Sequence, residues 1–547
     1  MFCAARPPQF RTEHAVYRLC ESRRSLQTPK GCHGVILVKG VCCHRPYPVT
    51  SDPVPAMGSM DLDALSWCFI TVNLCEHWEQ EGMAMRVLLV QPKQNQGIGL
   101  ESLDLIEPLG LEMIAAALRD GHEVALLDLR LQPDALSATI ADFRPHVVGI
   151  SSTFTVKLYQ ALQIAEVAKV AHPQTFTVVG GHHPSLYPID FQHPAVNAIV
   201  VGEGETTMRE LVDCLAAGDD PARVPGLVLN RPEGQHFTGQ RALVPNLDAL
   251  PPPQRALTQP FRLHYHLFTE RPIAAVETTR GCPYRCNFCA VWRFYQGRVR
   301  FKSPQRVVEE LESISEPKVF FTDDNFLSNV QRSKELARLI RERGIRKQYY
   351  VQARSDVIVR HPELIAQWRE VGLDGVFIGF EKPDQAGLDA VNKDNSVENN
   401  EKALAILRQH GIEPDASFIV DPNYDHADFA ALRRYVRRLK LRLPFFTVLT
   451  PIPGTAFFDA VKDQLTTRNY ERFDMLHAVL PTRLPITEFY AELAKLYRDA
   501  YPVWKLWLGR LYLALADLCW RGPRPISWRR ILDEMARVGE ARAYLEG

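Results

Sequence analysis

The sequence predicts two α/β units in series, a doubly wound parallel sheet and then a partial parallel barrel of six β/α units, followed by a helical C-terminal region. Three observations lead there. Between residues 85 and 225, short apolar runs alternate with amphipathic helical stretches, the pattern of parallel strands buried on both faces. Between 271 and 455, strand-like runs recur six times with helices between them. The first of those later strands leads into Thr279-Arg-Gly-Cys-Pro-Tyr-Arg-Cys-Asn-Phe-Cys-Ala290, whose Cys282, Cys286 and Cys289 form a C-x3-C-x2-C cluster.

A chain of 547 residues exceeds the size at which single cores stop growing, so two or three domains are expected. The 64 basic residues balance 64 acidic ones, which argues against a nucleic-acid partner bound through phosphates. Of the 12 cysteines, seven precede residue 84, three form the cluster, and Cys214 and Cys519 stand alone. From Met85 onward the chain reads as a reduced, cytoplasmic protein. Residues 1–84 show no sustained period, and their apolar run 67–75 is far too short to span a bilayer. They carry no signal-peptide pattern. We expect a non-native or poorly structured extension there, with a disulfide or metal module as the competing reading.

The first unit, 85–225, begins with a buried strand at 86–91. A helix at 108–120 follows, with Pro108 near its start, an apolar face of Leu111, Ile114, Ala115 and Leu118, and Gly121 as its stop. Further strands are predicted at 123–129, 147–152, 175–180 and 198–201, with helices at 135–143, 157–170 and 206–217. Such sheets bind ligands beyond the carboxyl ends of their strands. Those ends read Gly149-Ile-Ser-Ser-Thr153, Gly180-Gly-His-His-Pro184 and Gly202-Glu-Gly-Glu205. Glycines there let the backbone approach a bulky ligand, and the hydroxyls can donate to it. No G-x-G-x-x-G follows the first strand, which argues against a dinucleotide.

Residues 226–270, with Pro251-Pro-Pro253, read as a linker. Barrel strands are predicted at 273–278, 319–322, 350–353, 376–380, 416–420 and 446–450. Their carboxyl ends, where barrel chemistry lies, carry Thr322-Asp-Asp-Asn325, Gln352-Ala-Arg-Ser-Asp356, Gly379-Phe-Glu381 and Asp421-Pro-Asn423. A helix at 431–441 bearing Arg433, Arg434, Arg437 and Arg438 reads as a solvated basic face rather than a binding patch. The region 456–547 reads as helical. Within 503–520 the strongly polar residues are Lys505, Arg510 and Asp517, too many charges for a single membrane span. Its wide apolar face suits a core, a lipid-sized pocket or a membrane-interface element.

Three thiolates are one short of a closed metal site. A structural zinc wants four ligands, with His264 or His266 as a distant fourth here, whereas an iron-sulfur cube held by three cysteines leaves one iron open. The triad, with Phe288 before its last cysteine, resembles the signature of the radical S-adenosylmethionine (radical SAM) enzymes. The resemblance implies a [4Fe-4S] cluster on Cys282, Cys286 and Cys289, with S-adenosylmethionine (AdoMet) chelated by the open iron. Phe288 is then a cofactor contact, Asp323 and Asp324 lie on the ammonium side, and Glu381 accepts from a ribose hydroxyl. Arg354 is the natural partner of the AdoMet carboxylate.

The first unit resembles a flavodoxin-like cobalamin-binding domain. Ser151, Thr153, 26 intervening residues and Gly180-Gly181 meet that pattern, and Gly202, Glu203, Gly204 and Glu205 join them as cofactor contacts. Where related domains place D-x-H-x-x-G, Gly110 serves as the glycine and Glu107 stands at the ligand position. The resemblance therefore implies a cobalt without a protein histidine, and His182 and His183 read as hydrogen-bonding or packing residues.

The two units together resemble the cobalamin-dependent radical SAM family, most of whose members are methyltransferases. The implied reaction uses a 5'-deoxyadenosyl radical and methylcobalamin to methylate an unactivated carbon. Tyr470-Glu-Arg-Phe-Asp474, Leu480-Pro-Thr482, Leu484-Pro485 and the aromatic tail resemble the hopanoid C-3 methylases, which implies a hopanoid substrate. An electron donor such as flavodoxin or ferredoxin and peripheral contact with the inner membrane surface belong to the same expectation. Two alternatives share parts of the plan: an oxidative ring cyclase of tetrapyrrole synthesis, and a cobalamin sensor with a degenerate barrel, which the intact triad opposes.

Overall fold

The computed structural model describes residues 84–93, 104–268, 270–502, 507–508, 511 and 526–545. The expectations for 1–83 and for most of the apolar tail at 503–525 lie outside the described residues.

The first sheet contains β1 (Arg86–Gln91), β2 (Glu123–Asp128), β3 (Val147–Ser151), β4 (Phe176–Gly180), β5 (Ala198–Val200), β6 (Leu227–Arg231) and β7 (Gly234–Phe237). Their spatial order is β2-β1-β3-β4-β5-β6-β7. The first five are parallel. The order reverses at β1, so the crevice beside β1 and β3 is where a doubly wound sheet takes its ligand. The helices α1 (Leu109–Leu118), α2 (Leu136–Phe143), α3 (Leu158–Ala171) and α4 (Gly204–Ala216) cover its faces. Alternation along β1 shows both faces buried: Leu88 and Val90 pack with α2 and α3, Val87 and Leu89 with α1 and α4.

One expectation is corrected here. The start of 226–270 is no linker, because β6 and β7 form an antiparallel hairpin that extends the sheet beyond β5. The turn Pro232-Glu233-Gly234 and the apolar Leu227-Val-Leu were legible as hairpin signals, and the prolines downstream obscured them.

The second sheet runs in chain order through β8 (Ile273–Val276), β9 (Lys318–Phe321), β10 (Gln348–Gln352), β11 (Leu373–Glu381), β12 (Asp415–Val420) and β13 (Pro444–Val448). Every neighbour is parallel, so all six carboxyl ends open on one mouth. Outside it lie α5 (Pro304–Ser313), α6 (Val330–Glu342), α7 (Pro362–Val371), α8 (Val397–Gln409) and α9 (His426–Leu439). Trp368 anchors this layer, with Phe326 edge-on at 4.8 Å and its indole nitrogen donating to Ser333 at 2.8 Å.

The C-terminal helix α10 (Ile486–Ala500) covers the β13 side, where its Tyr497 hydroxyl donates to the carbonyl of Phe446. It pairs with two arginines of α9, and α8 pairs with a third. Arg433 pairs with Glu492 at 2.6 Å, Arg437 with Asp499 at 2.9 Å and Arg438 with Glu401 at 2.7 Å. Arg437 and Arg438 stay largely solvated, but Arg433 is buried in a helix-to-helix contact that periodicity alone could not show.

Candidate active site

The cysteine loop leaves the end of β8 and is held from three sides. Below it, Asp323 accepts from the Thr278 amide at 2.6 Å, the Thr278 hydroxyl at 2.5 Å and the Thr279 amide at 3.0 Å. Beside it, the loop after β11 runs alongside. The Asn287 amide donates to the Val391 carbonyl at 3.2 Å, Asn287 Nδ2 to that of Ala390 at 3.0 Å, and Asn392 Nδ2 to that of Arg285 at 2.7 Å. From the barrel mouth, the Arg354 guanidinium lies over the Tyr284 ring at 3.4 Å, and Tyr284 donates to Asp356 at 2.8 Å. Gly281 has φ 95 and faces the Arg298 carbonyl, where a Cβ would not fit.

Cys282, Cys286 and Cys289 are free thiols, Cys286 fully buried. Burial pushes the Cys289 thiol up to about 12 and raises the other two. Lys393 and Arg354 stand close enough to Cys286 to pull it partly back. Metal ligation takes the thiolate form, so a bound cluster would have to offset this burial. His266, a fourth ligand in the zinc alternative, is buried on a short strand paired with 104–105, with Nδ1 at 3.0 Å from the His264 carbonyl. Phe288 is half-buried on the loop between Cys286 and Cys289.

A cavity of about 520 Å³ lies between the two sheets' carboxyl ends. It brings together most of the residues expected at the cobalamin site, Ser151, Thr153, Gly180, Gly181, Gly202 and Gly204 among them, and reaches Glu277, Thr322 and Asp324 of the barrel. Two of its glycines are required by the packing around them. Gly181, at φ 128, has the Ser152 carbonyl 2.7 Å from where a Cβ would lie, and a Cβ on Gly149 would meet Leu89 at 2.8 Å. His182 lines the cavity and packs on Phe294 at 4.2 Å, and burial lowers it to about 4, so it stands there as neutral imidazole. His183 is buried against Asp190 at 3.0 Å, a packing role as expected.

Several expected contact residues also have partners within the protein. Glu203 and Glu205 line the cavity, but their carboxylates are committed to the barrel: Arg280 reaches Glu203 at 2.6 Å and Glu205 at 2.5 Å, and Arg300 reaches Glu203 at 2.9 Å. Asp323, enclosed by Thr278 and Thr279, orients the cysteine loop, while Asp324 faces the cavity. Burial, with Asp323 and Glu277 nearby, pushes Asp324 up to about 7. Arg354 is engaged through Nε by Asp356 at 2.9 Å and through Nη2 by the carbonyls of Lys393 and Asp394. Glu381 pairs with Lys393 at 2.5 Å. Glu107 also lines the cavity, and its carboxylate receives Arg255 at 2.5 Å, Arg262, and the Ala275 amide at 2.6 Å.

Sequence reasoning missed Arg280, Arg255, Tyr284 and Lys393. Arg280 and Tyr284 had a local signal, their place in the cysteine motif. The others are tied to their partners only by the fold.

Fold and site together define a two-cofactor α/β enzyme with one cavity shared between a doubly wound domain and a barrel that carries a thiolate triad. The B12 binding domain family matches residues 96–212, and the radical SAM superfamily matches residues 276–436. The hopanoid C-3 methylase of Methylococcus capsulatus is 36% identical over 401 residues, 72% of this chain and 76% of that protein. The anaerobic magnesium-protoporphyrin IX monomethyl ester cyclase of Rubrivivax gelatinosus is 27% identical over 412 residues, 72% of this chain and 73% of that protein. Among solved structures, the radical SAM methyltransferase TsrM of Kitasatospora setae, with cobalamin and a [4Fe-4S] cluster, superposes at a TM-score of 0.62 and 19% identity. That match covers 84% of this chain and all of that one. OxsB with aqua-cobalamin gives 0.64 at 17% identity, over 85% and 73%.

This chain belongs to the cobalamin-dependent radical SAM methyltransferases. Its cofactors are a [4Fe-4S] cluster, AdoMet and cobalamin, and it acts on a small molecule. Among the described residues no helix is long and apolar enough to cross a membrane.

Proposed function

We propose that this enzyme methylates C-3 of a hopanoid lipid, an unactivated ring carbon. The observation that carries the reading is the 36% identity over 401 residues with the hopanoid C-3 methylase of Methylococcus capsulatus. The cavity adds support. Leu109, Leu111, Met113 and Phe320 give it apolar walls suited to a polycyclic hydrocarbon, and its polar groups cluster toward Asp324 and Glu277.

Cys282, Cys286 and Cys289 hold the cluster. Asp324 receives the AdoMet ammonium, Glu381 its ribose, and the free edge of Arg354 its carboxylate. Ser151, Thr153, Gly180, Gly181, Gly202 and Gly204 receive cobalamin, with Glu203, Glu205 and Asp323 fixing loop positions. When bound, the cluster and AdoMet supply a hydrogen-abstracting radical, and cobalamin supplies the methyl group. The chain's own work is to bring both cofactor loops to one cavity and to keep water from it. Domains divide at 85–237 and 271–455, with the connecting segment between. An acidic one-electron carrier such as flavodoxin or ferredoxin supplies electrons, and a lipid substrate brings the protein to the cytoplasmic face of the inner membrane.

Lipids extracted from cells with and without the gene test the substrate. A methylated hopanoid that disappears with the gene supports it, and an unchanged hopanoid profile refutes it. Growth on methyl-labelled methionine tests the reaction separately, because a cyclase product gains no labelled methyl.

A further inference from the structure

The loop that clasps the cysteines carries a buried lysine that no cofactor assignment uses. Lys393 Nζ lies 2.5 Å from Glu381 Oε1, and both residues are almost inaccessible, at 8% and 5% exposure. The backbone bends to make this pair. Glu381 ends β11 at φ 62, a left-handed conformation unfavourable for a side chain of its size. Its carboxylate folds back over Gly379, where a Cβ would collide with Glu381 Oε1 and stand 2.9 Å from Lys393 Nζ. The β11–β12 register shifts between Gly379 and Glu381, as this turn requires.

Lys393 is itself fixed on the cysteine loop's flank. Its carbonyl accepts from Arg354 Nη2 at 2.9 Å, and its amide donates to the Leu388 carbonyl at 3.0 Å. The preceding Asn392 is bonded to the Arg285 carbonyl between Cys282 and Cys286. The ion pair is thus referenced to the thiolate triad through a single short loop.

We propose that Lys393 is a positioning residue of the AdoMet site, fixing the Glu381 carboxylate in the orientation that receives the cofactor's ribose. This rests on the reading of Glu381 as a ribose contact. Burying an ion pair against a strained backbone is costly in stability, and preorganising one carboxylate oxygen for a ligand is what offsets such a cost at functional sites.

The test uses cluster-reconstituted full-length protein, with AdoMet affinity measured by equilibrium dialysis and the reduced cluster's EPR spectrum recorded with and without AdoMet. K393M and E381Q are expected to weaken AdoMet at least about tenfold each, with the double variant no weaker than either single one. K393R restores affinity to within about threefold of wild type and retains the AdoMet-induced EPR change that K393M diminishes. Iron content equal to wild type shows that the variants fold, and where K393M fails this control, K393Q is read in its place. If E381Q binds normally, the ribose reading and the proposal both fall. If E381Q is impaired and the lysine variant is not, the proposal alone falls. Failure of K393R to rescue, with full iron content, also overturns it.

Discussion

Arg280 Nη1 lies 2.6 Å from Glu203 Oε1, joining the residue two places before the first cluster cysteine to the Gly-Glu-Gly-Glu loop of the cobalamin domain. The same guanidinium holds Glu205 at 2.5 Å and Glu277 at 2.8 Å, and all but a few per cent of it is buried. One side chain therefore sets the spacing of the two cofactor loops.

Replacing Arg280 leaves Glu205 and Glu277 without their guanidinium partner, while Glu203 keeps Arg300. Removing one partner of a buried pair costs about 3–5 kcal/mol. R280M is expected to lower the urea midpoint and to lose cobalamin on gel filtration, whereas R280K retains part of both. Unchanged cobalamin retention in R280M would contradict this role.

The two cofactor sites separate by mutation. The cavity lining contains none of the three cysteines. C289S should therefore lose bound iron and the cluster's visible absorbance while still binding cobalamin, as read by its own absorbance after reconstitution. Iron retained at wild-type level in C289S would show that a different residue set holds the metal.

Asp324 gives a pH dependence of defined sign. Its folded value of about 7 lies above its ordinary 3.8, because burial and its carboxylate neighbours favour the neutral acid. Its contribution to stability is complete below the ordinary value and is lost as pH rises through about 7. In cluster-free protein, D324N should gain stability over wild type progressively between about pH 4 and about pH 7 and no further above it. A cationic ammonium selects the ionised form, so AdoMet affinity of the cluster-loaded wild type should rise as pH approaches about 7 while D324N stays flat. Parallel pH profiles for the two proteins would dismiss the assignment.

Gly181 offers a steric test of the cobalamin floor. At φ 128, with the Ser152 carbonyl 2.7 Å from an added Cβ, G181A must displace the β3 and β4 loop ends. Strain of this kind costs about 1–3 kcal/mol. G181A should weaken cobalamin binding with the cluster content intact, and equal affinity by absorbance titration would place the cofactor elsewhere.

Much of this molecule was legible in its chain. All six barrel strands lie within a few residues of the apolar runs that predicted them, since each run is buried by its own neighbours. Cys282, Cys286 and Cys289 were legible from spacing alone, because a three-thiolate loop needs only local geometry. Gly149 and Gly181 were legible because an added Cβ would collide with Leu89 or with the Ser152 carbonyl, and Gly202 because its φ of 87 favours glycine. The hairpin β6–β7 carried local turn signals, but its pairing with β5 was not legible, since β5 lies across a helix in sequence.

What the sequence determined by itself was the kind of chemistry and where its loops fall, which depend on residue type and short spacing. What only the tertiary structure decided was the duty of each carboxylate. Asp323 and Asp324 are adjacent in the chain, yet the first is enclosed by Thr278 and Thr279 and the second faces the cavity. Glu203 meets Arg280 and Arg300 from 77 and 97 residues away. Glu107 meets Arg255 from 148 away. A carboxylate's role follows from the charges that surround it in a low-dielectric interior, and those charges reach it only when the two domains close on each other.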